Sequence, residues 1–502
     1  MLGKLITALD KFLFSNLKTI NNNCVRWLFK LTWIIAVGFS LSGLLFYSKQ
    51  AYNKWHNTPD ISISIKSIPS RDIPFPAITI CQPLVPTQIL NGASIYYYFQ
   101  DRNTEKIKSN LSSEFYNYLP IAVQTCLLQF ASIALLKIGT NRTETNFMKL
   151  LKNAKYNFIF RHCEFRNLTL SCDNLLTQTL TDFGFCYTFN MQKYFEIFQA
   201  EILSDDFDFY KNEIRNESNN TNIQFVSRIR AEKKNSFGVL FEFRGKVQYC
   251  RHIGHNLKLI IHKPNEIPTI FHDSYFVEIL RYKYFFINAK VNVINKNLHD
   301  YSTEIRQCYF EGEKKLKFFK NYSKALCEFE CLTNYTLRIC GCTKFNMPRE
   351  NNTKVCDLDK VQCYQNIKEL WPNINESSSD VSEDCKCLKP CTDIEYNFEV
   401  EKETIKSTNR IFSYDGTYFH TSFKNHVIDE HTKYVVYTIQ NFIADCGGLI
   451  GLFLGFSLLS IYEIVCDFFV FSIKSISNRN FEKSIKSKNL FEKKILKNIQ
   501  VI

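Results

Sequence analysis

The stretch CEFECLTNYTLRICGC, residues 327–342, carries four cysteines in the spacings C-x3-C and C-x-C. It lies within a run of ten cysteines from Cys308 to Cys391, which ends in C-x-C-x3-C. Sixteen of the nineteen cysteines lie between Cys81 and Cys391. An even number of cysteines at many spacings predicts a disulfide framework formed in an oxidising compartment. Zinc sites are the alternative, but the varied spacings and the few nearby histidines argue against them.

Glycosylation sequons indicate the same compartment. Each Asn-x-Ser/Thr sequon alone is a weak signal, but all nine fall between residues 50 and 435. We therefore expect residues 48–435 to be extracellular. The candidate glycosylated asparagines are Asn110, Asn141, Asn167, Asn216, Asn219, Asn321, Asn334, Asn351 and Asn375.

Two apolar segments flank this region. Residues 27–47 contain one charged residue, Lys30, and are about as long as the 20 residues that a helix needs to cross a bilayer. A cleavable signal peptide is the competing interpretation. The polar lead of 26 residues and the lack of a small-residue cleavage pattern favour an uncleaved span. We expect the second span, with the pore, at 436–473, where the sequence is apolar from Gly447 to Ile473.

Basic residues precede the first span and follow the second. Residues 1–26 carry four Lys or Arg against one Asp, and residues 474–502 form a basic tail. By the positive-inside tendency, both termini are cytoplasmic and the chain crosses the plasma membrane twice. The net charge of +13 is spread along the chain without a zinc-finger spacing, an aromatic RNA-binding box or a long basic run, which argues against a nucleic-acid partner. Sequence motifs of hydrolases, zinc proteases and P-loop enzymes are missing, so we predict no enzyme activity.

Alternating apolar residues predict strands near both ends of the exterior segment. They occur in ISISIKSI (61–68), in parts of YFFINAKVNVI (284–294) and in IEYNFEV (394–400). Residues 100–160 and 190–235 mix helical periodicity with Asn-rich loops. We therefore predict an α+β membrane protein in which two transmembrane helices flank a β core with helical outgrowths.

The order of the cysteines resembles that of the degenerin/epithelial sodium channel family, and the resemblance covers about residues 12–473. Within the family, LKLIIHKPNEIP (257–268) and the segment 317–342 are most similar to the arthropod pickpocket group. Three further stretches are similar to family signatures. FPAITIC (75–81) is similar to the family's stretch just past the first span, and FGFCYTFN (183–190) to its Cys-Tyr-Thr-Phe-Asn box. GGLIGLFLGFSLLSIYEI (447–464) is similar to the signature of the second span.

The resemblance implies a β palm and β-ball, helical finger, thumb and knuckle elements, and disulfides that pin the thumb against the palm. Each bridge typically contributes about 2–4 kcal/mol. We expect Cys126 and Cys250, which remain, to pair with each other, and we expect Cys24, Cys446 and Cys466, inside the cell or in the membrane, to be free. The pairs that the resemblance implies are Cys81–Cys186, Cys163–Cys172, Cys308–Cys391, Cys327–Cys387, Cys331–Cys385, Cys340–Cys363 and Cys342–Cys356.

The second span has an unusual composition, since four of the sixteen glycines lie between Gly447 and Gly455. Glycine leaves helical geometry most easily, and freed carbonyls are tolerated at membrane depth where they line a cavity. Gly455, Phe456 and Ser457 are therefore a candidate selectivity filter, whose oxygens replace the water around sodium. The four-residue spacing of the glycines is also typical of tight helix packing, and periodicity leaves both interpretations open.

Acidic residues favour the pore interpretation. Glu463 follows Gly455 by eight residues and Asp467 follows by twelve, so both can share one helix face. A carboxylate at membrane depth costs a few kcal/mol unless it faces water or a partner, and a cation path provides both. The resemblance implies that Glu463 lies along the inner cation path. We expect Asp445 and Asp467 to belong to this path too and, with Glu463, to raise the local cation concentration. The resemblance also implies that Ala444 is the small-residue gate position, near which amiloride binds, although a simple packing alanine is the alternative.

The chain departs from the family before the first span. Family members usually carry a His-Gly pair there, whereas no histidine precedes His56 and Lys18-Thr19 stands in its place. We expect this departure to alter gating or to require a partner subunit. Tyr52 and Trp55, just outside the first span, either couple the exterior to the gate or belong to a membrane-interface aromatic belt.

Four histidines near the outer ends of the spans in sequence titrate close to neutral pH when unperturbed. We expect them to be solvated loop residues rather than pH sensors. They are His56, His420, His426 and His431.

These observations predict a subunit of a trimeric, amiloride-sensitive sodium channel, gated by a ligand or by force. Its expected partners are the sodium ion, membrane lipid and related subunits in a homo- or hetero-trimer. Conduction is passive, so we expect no cofactor and no metal other than the transient sodium. A non-conducting or regulatory subunit, or a surface receptor, is the alternative. ATP-gated receptors share the two-span topology but lack this cysteine order.

Overall fold

The chain divides into two compact units. One contains the segment up to Ser62 together with the segment from Val435 onward, and the other is Ile63–Tyr434. The computed structural model describes residues 23–81, 121, 124–125, 147–153, 158–166, 168–199, 201–207, 236–243, 256–278, 282–357, 360–377, 385–400, 416–455, 460, 462–463, 465–466 and 468–470.

The described elements are mixed helices and strands. The helices are α1 (Asn23–Tyr52), α2 (Phe147–Asn153), α3 (Cys172–Leu175), α4 (Tyr194–Ile197), α5 (Thr303–Arg306), α6 (Lys324–Cys340), α7 (Val361–Ser377) and α8 (Ile439–Leu454). The strands are β1 (Ile61–Pro69), β2 (Ala77–Cys81), β3 (Phe158–Phe165), β4 (Leu168–Leu170), β5 (Leu176–Thr181), β6 (Gly184–Phe189), β7 (Ser236–Phe243), β8 (Asn256–His262), β9 (Ser274–Glu278), β10 (Tyr282–Ile294), β11 (Cys308–Tyr309), β12 (Lys389–Pro390), β13 (Thr392–Val400), β14 (Gly416–Phe423) and β15 (Val427–Val435).

The first unit contains the apolar helices. Of the residues that the structure describes, one helical segment is long and apolar enough to cross a membrane, Lys30–Asn57, which comprises most of α1 and a π-helical turn at Asn53–Asn57. α8 is also apolar, but its 16 residues are fewer than the roughly 20 that a helix needs to cross a bilayer.

An eight-stranded sheet forms the larger layer of the second unit. Its strand order is β1-β15-β10-β14-β7-β3-β4, and β13 pairs with β10. β10 pairs antiparallel with β13 on one edge and parallel with β14 and then β15 on the other. Every second residue of β10 points to the core, so Phe285, Ile287 and Val291 are buried. The alternation that predicted β10 therefore reflects one covered face.

A five-stranded antiparallel sheet, in the order β5-β6-β2-β8-β9, forms the second layer. All five residues of its central strand β2 are buried. β5 and β6 form a hairpin with the two-residue turn Asp182–Phe183, and Gly184 follows it with φ of +96°. The two sheets share one apolar core, in which the Phe189 ring stacks on Phe237 at 4.0 Å between centroids.

The predicted strands are confirmed, since 61–68 falls in β1, 284–294 in β10 and 394–400 in β13. The alternation of β1 has a different cause from that of β10. Its residues Ile63 and Ile65 remain 53% and 64% exposed, so no described part of this chain covers that face. The mixed middle, 100–160 and 190–235, lies mostly outside the described residues.

Two polar signals set the ends of α6. The Ser323 hydroxyl caps its first turn by accepting the Leu326 N–H at 3.2 Å. Gly341 ends it in the left-handed conformation, with φ of +71°, and donates its N–H to the Leu337 carbonyl at 2.9 Å. The apolar residues of α6 and α7 form a second core with the α4 region, in which Phe198 packs on Phe319.

Disulfides connect these elements. They include two bridges from neighbouring turns of α6, at Cys327 and Cys331, and one between α6 and α7. Among the residues that the structure describes, the bridges are Cys81–Cys186, Cys163–Cys172, Cys308–Cys391, Cys327–Cys387, Cys331–Cys385, Cys340–Cys363 and Cys342–Cys356. These are the same seven pairs that the family resemblance implies.

The remaining cysteines are only partly described. Cys446 and Cys466 are free, as expected. The predicted pair of Cys126 with Cys250 and the side chain of Cys24 lie outside the described residues.

A buried charge network joins the loop after β8 to β13. Glu266, 3% exposed, accepts a hydrogen bond from His272 Nε2 at 2.8 Å and pairs with Lys263 Nζ at 3.2 Å. Lys263 also pairs with Asp393 of β13. Burial acts to raise the pKa of Glu266, but Lys263 and His272 together outweigh it and hold that pKa far below its usual range.

We predict that removing the α6–α7 bridge with Cys340→Ser and Cys363→Ser lowers the stability of folding by about 3 kcal/mol, because the open chain gains loop entropy. Thermal unfolding of the purified full-length protein measures this loss. Cys446→Ser, at a free cysteine, is the control and should leave the unfolding midpoint unchanged. Equal midpoints for the double variant and the control would contradict the prediction.

We predict that Glu266→Gln lowers stability at pH 7 by about 3 kcal/mol, because Lys263 and His272 lose a buried charged partner. The folded-state pKa of Glu266 is lowered, so its contribution is present above about pH 4.5 and is lost as the pH falls further. The difference in unfolding midpoint between wild type and variant should therefore be full at pH 7 and should narrow steadily as the pH is lowered from about 4.5 towards 2. Glu395→Gln, which removes an outer pair with Lys389, should change the midpoint little.

Candidate functional site

The candidate pore region includes the end of α8. α8 runs from Ile439 to Leu454 and stops at Gly455, which has φ of +67° and ψ of +14°. The Gly455 N–H donates to the Gly451 carbonyl at 2.9 Å. This left-handed conformation costs a residue with a side chain about 1–2 kcal/mol, and glycine adopts it freely. The helix therefore stops at the place where the sequence predicts that helical geometry is lost.

The other candidate residues are partly described. Ala444, Asp445 and Glu463 are exposed, with Ala444 and Asp445 on α8 and Glu463 in a short helical stretch after it. Phe456, Ser457 and Asp467 lie outside the described residues. The structure therefore places Gly455 at the helix end, and the filter formed by Gly455, Phe456 and Ser457 stays a prediction.

Asp445 has a partner that the sequence did not reveal. Its carboxylate accepts a hydrogen bond from the Tyr437 hydroxyl at 2.5 Å. Tyr437 also lies under a cation, because Lys54 Nζ is 5.0 Å from the centre of its ring and 3.0 Å from the Asp60 carboxylate. The ring thus connects the turn after α1 to an acid on α8.

The two apolar helices pack through a glycine and an aromatic ring. At Gly43 of α1, an added Cβ atom would lie 2.7 Å from the Phe453 ring of α8. The same ring stacks on Tyr47 at 6.0 Å between centroids. No side chain can replace the hydrogen of Gly43 without displacing Phe453, so this contact fixes how closely the helices approach.

Aromatic residues just past α1 contact the start of α8. Trp55, in the π-helical turn, stacks on Phe442 with 5.0 Å between ring centroids. Tyr52 meets the same Phe442 ring edge-on at 6.3 Å and stacks on His56 at 5.4 Å. These contacts give Tyr52 and Trp55 a physical connection to α8, which a membrane-interface belt alone does not require.

The histidine prediction is wrong for His420. This residue lies in β14, half-buried between Tyr284 and Tyr418, with ring centroids at 5.2 and 6.3 Å. Burial lowers the pKa of His420, because the charged imidazolium is poorly solvated there. His431 also lies in a strand, β15, whereas His426 is exposed in the turn that precedes it and His56 is exposed.

The described sequons differ in exposure. Asn334 and Asn351 are exposed. Asn321 is half-buried, and its Nδ2 lies 3.5 Å from the Glu196 carbonyl. The other predicted glycosylation sites lie outside the described residues, except that Asn375 is on α7 with its side chain not described.

One cluster in the described residues has the spacing of a metal site. The sulfur atoms of Cys327, Cys331 and Cys387 lie within 4.8 Å of one another. All three sulfurs belong to disulfides, so none is the thiolate that binds zinc. The geometry therefore supports the disulfide interpretation of these cysteines.

Known proteins are similar to this chain over most of its length. A family model described as "Amiloride-sensitive sodium channel" matches residues 14–466. Pickpocket protein 28 of Drosophila melanogaster is 23% identical over 482 residues, which are 88% of this chain and 73% of that protein. Pickpocket protein 11 of the same organism is 27% identical over 216 residues, 41% of each chain. The bile acid-sensitive ion channel of Rattus norvegicus is 29% identical over 168 residues, 30% of this chain and 33% of that channel.

The family match covers both apolar helices and the disulfide-rich unit between them, and it confirms the resemblance carried by the cysteine order, including that to the pickpocket proteins. Members of this family are ion channels and not enzymes. The chain therefore belongs to the amiloride-sensitive sodium channel family, that of the degenerin and epithelial sodium channels.

Proposed function

We propose that this chain is a subunit of a trimeric, amiloride-sensitive channel that conducts sodium passively across the plasma membrane. The observation that carries the proposal is the end of α8 at Gly455 in a chain of the sodium channel family. The last turn of a helix leaves carbonyl groups without helical donors. In lipid such groups need a cavity or a partner, and a hydrated ion path provides it.

The selectivity filter is Gly455, Phe456 and Ser457 in this proposal. Three copies of the segment would supply carbonyl and hydroxyl oxygens that replace part of the water shell of sodium. Tight packing of the glycine face is the competing interpretation. An added Cβ atom at Gly447 or Gly448 would meet no described atom within 4 Å, so packing against the described residues does not require either glycine.

The acids Asp445, Glu463 and Asp467 raise the local concentration of cations along the path. Asp445 and Glu463 are exposed, and no residue of α8 is buried within this chain. An exposed carboxylate on an apolar helix is costly in lipid, whereas it is solvated in a water-filled pore. Uncovered faces of α8 agree with contacts to other copies in a trimer.

The spans 27–47 and 436–473 connect cytoplasmic segments 1–26 and 474–502 to the extracellular domain 48–435. α8 alone is about 24 Å long at 1.5 Å per residue, shorter than a hydrocarbon core of about 30 Å. Residues after Gly455 would complete the second crossing. In the exterior unit, the eight-stranded sheet corresponds to the palm, the five-stranded sheet to the β-ball, and α6 with α7 to the thumb.

The gate lies at Ala444 in this proposal, and Tyr52 and Trp55 couple it to the exterior through Phe442. A second candidate function is a non-conducting or regulatory subunit. The lack of a His-Gly pair before the first span favours it, since no histidine precedes His56.

We predict that Ala444→Phe, expressed alone, gives a constitutive current at least about tenfold above wild type. A bulky ring hinders the closed packing, and a bias of about 1.4 kcal/mol changes the open population tenfold. The current should prefer sodium to potassium when the external cation is exchanged, and amiloride should block it. Ala444→Ser is the conservative control. Surface expression of Ala444→Phe without any such current would favour the non-conducting subunit.

We predict that Gly455→Ala, in the Ala444→Phe background, lowers the sodium-to-potassium permeability ratio. Alanine at φ of +67° is strained by about 1–2 kcal/mol, so the helix end and its carbonyls shift. Gly448→Ala is the matched control, because Gly448 is helical and an added Cβ atom there has space. Reversal potentials in mixed sodium and potassium measure the ratio. An unchanged ratio in Gly455→Ala would place the filter elsewhere.

A further inference from the structure

A lysine is buried where the segment after α6 meets the five-stranded sheet. Lys344 is 1% exposed, and its Nζ donates a hydrogen bond to the Asp182 carbonyl at 3.0 Å. The same Nζ lies 5.4 Å from the centre of the Phe345 ring and 5.5 Å from that of Tyr364 on α7. Fully buried lysines are rare because an ammonium group loses its hydration there.

One carboxylate, that of Asp182, attracts three lysines in this cluster. Asp182, 5% exposed in the β5–β6 turn, lies 3.6 Å from Lys368 Nζ of α7. Lys258 of β8 is the third lysine, and its Nζ is 4.3 Å from the centre of the Phe183 ring. With Lys344 protonated, these groups hold three positive charges against one negative charge.

The surroundings weaken proton binding at Lys344. Burial is the main cause, attraction by Asp182 opposes it, and repulsion by Lys368 and Lys258 adds to it, so the pKa of Lys344 falls to about 7. Burial acts to raise the pKa of Asp182, but the three lysines outweigh it, so the carboxyl stays ionised. Burial also raises the pKa of the Tyr364 phenol, which is neutral at physiological pH.

Disulfides hold the loop that contains Lys344 to α7 and close the loop on itself, whereas a hydrogen bond joins it to the β5–β6 turn. Cys340–Cys363 ties the end of α6 to α7, and Cys342–Cys356 closes the loop that contains Lys344. Neither bridge ties this loop to the β5–β6 turn. The Lys344 amine provides the described hydrogen bond between the loop and that turn, so the charge on the amine acts directly on the contact.

We propose that Lys344 is a proton-controlled contact: protonation of its amine favours a conformation in which the 342–346 segment leaves the β5–β6 turn and hydrates the ammonium. In the packed form the pKa of Lys344 is lowered, whereas a hydrated lysine has a pKa of about 10.4. The packed form thus binds fewer protons between these two values. Its stability rises with pH across this window and falls as the pH drops towards 7.

The cluster belongs to the unit that we assign to the extracellular side, so the external pH controls this contact. An effect on the channel current rests on the proposed function. The structural effect does not rest on it, and the two can be measured separately.

Hydrogen exchange of the full-length protein in detergent tests the structural effect, with mass spectrometry of peptides that cover 178–186 and 342–347. After correction for the intrinsic pH dependence of exchange, protection in wild type should stay nearly level from pH 6 to the Lys344 midpoint near pH 7 and should rise from there to pH 8.5, by up to about tenfold per pH unit. Lys344→Met removes the titration and should give pH-independent protection. Lys344→Arg keeps the charge and should give low protection throughout.

The neighbours give a test that does not need Lys344 variants to fold. Lys368→Met removes a repelling charge and should move the wild-type midpoint to higher pH. Asp182→Asn removes the attracting charge and should move it to lower pH. Lys317→Met, at a half-exposed lysine paired with Glu350, is the control and should leave the midpoint unchanged.

Identical pH dependence in wild type and Lys344→Met, or no midpoint shift in Lys368→Met and Asp182→Asn, would overturn the proposal. Recording sodium currents of the same variants at external pH 6 to 8.5 separates it from the channel assignment. Protection that follows the predicted pattern without any current in wild type or Ala444→Phe would contradict the proposed function and support the contact.

Discussion

The covalent attachment of α6 is the constraint on which the disulfide-rich unit depends. Cys327 and Cys331 are one helical turn apart, so they present two sulfurs on one face, and their partners lie 60 and 54 residues further along the chain. These bridges close loops that an apolar core alone would have to order at a large entropic cost. The helix therefore serves as the fixed element against which α7 and the 342–356 loop are placed.

The sequence alone predicted strands that have a local pattern of alternating apolar residues. Contacts between residues far apart in sequence leave no such pattern. β10 and β13 have covered faces, so their alternation is strong. The ends of α6 at Ser323 and Gly341 were not predicted, although a serine cap and a terminal glycine are local signals. The disulfide pairs could be inferred only through the family, because spacing leaves many pairings open. Expecting His420 to be solvated was wrong because this residue of β14 packs against Tyr284 of β10, which is far from it in sequence.

Long-range polar contacts were out of reach for the same reason. Lys344 and Asp182 are 162 residues apart, and no local pattern distinguishes a buried lysine from an exposed one. The Tyr437–Asp445 bond joins residues only eight apart, but the chain between them includes a helix start, which periodicity does not locate well. In the candidate pore, the glycine signal predicted the helix end correctly, while the residues just beyond Gly455 remain a proposal.

Two glycines with the same backbone geometry have different consequences. Gly341 and Gly455 both end helices, with φ of +71° and +67°. At Gly341 the chain continues into a disulfide-closed loop, so the helix end only sets a turn. Gly455 ends an apolar helix, and in the proposed channel the same turn leaves polar groups in lipid that need an ionic or aqueous neighbour.

The contact of Gly43 with the Phe453 ring also limits how this subunit can be recombined with its relatives. A chimera that takes its first helix from another family member must move the Phe453 ring wherever that helix carries a side chain at the position of Gly43. The opposite exchange, a foreign second helix on this first one, leaves a gap unless an aromatic ring returns to fill it. The two helices are thus a matched pair, and domain exchanges should transfer them together.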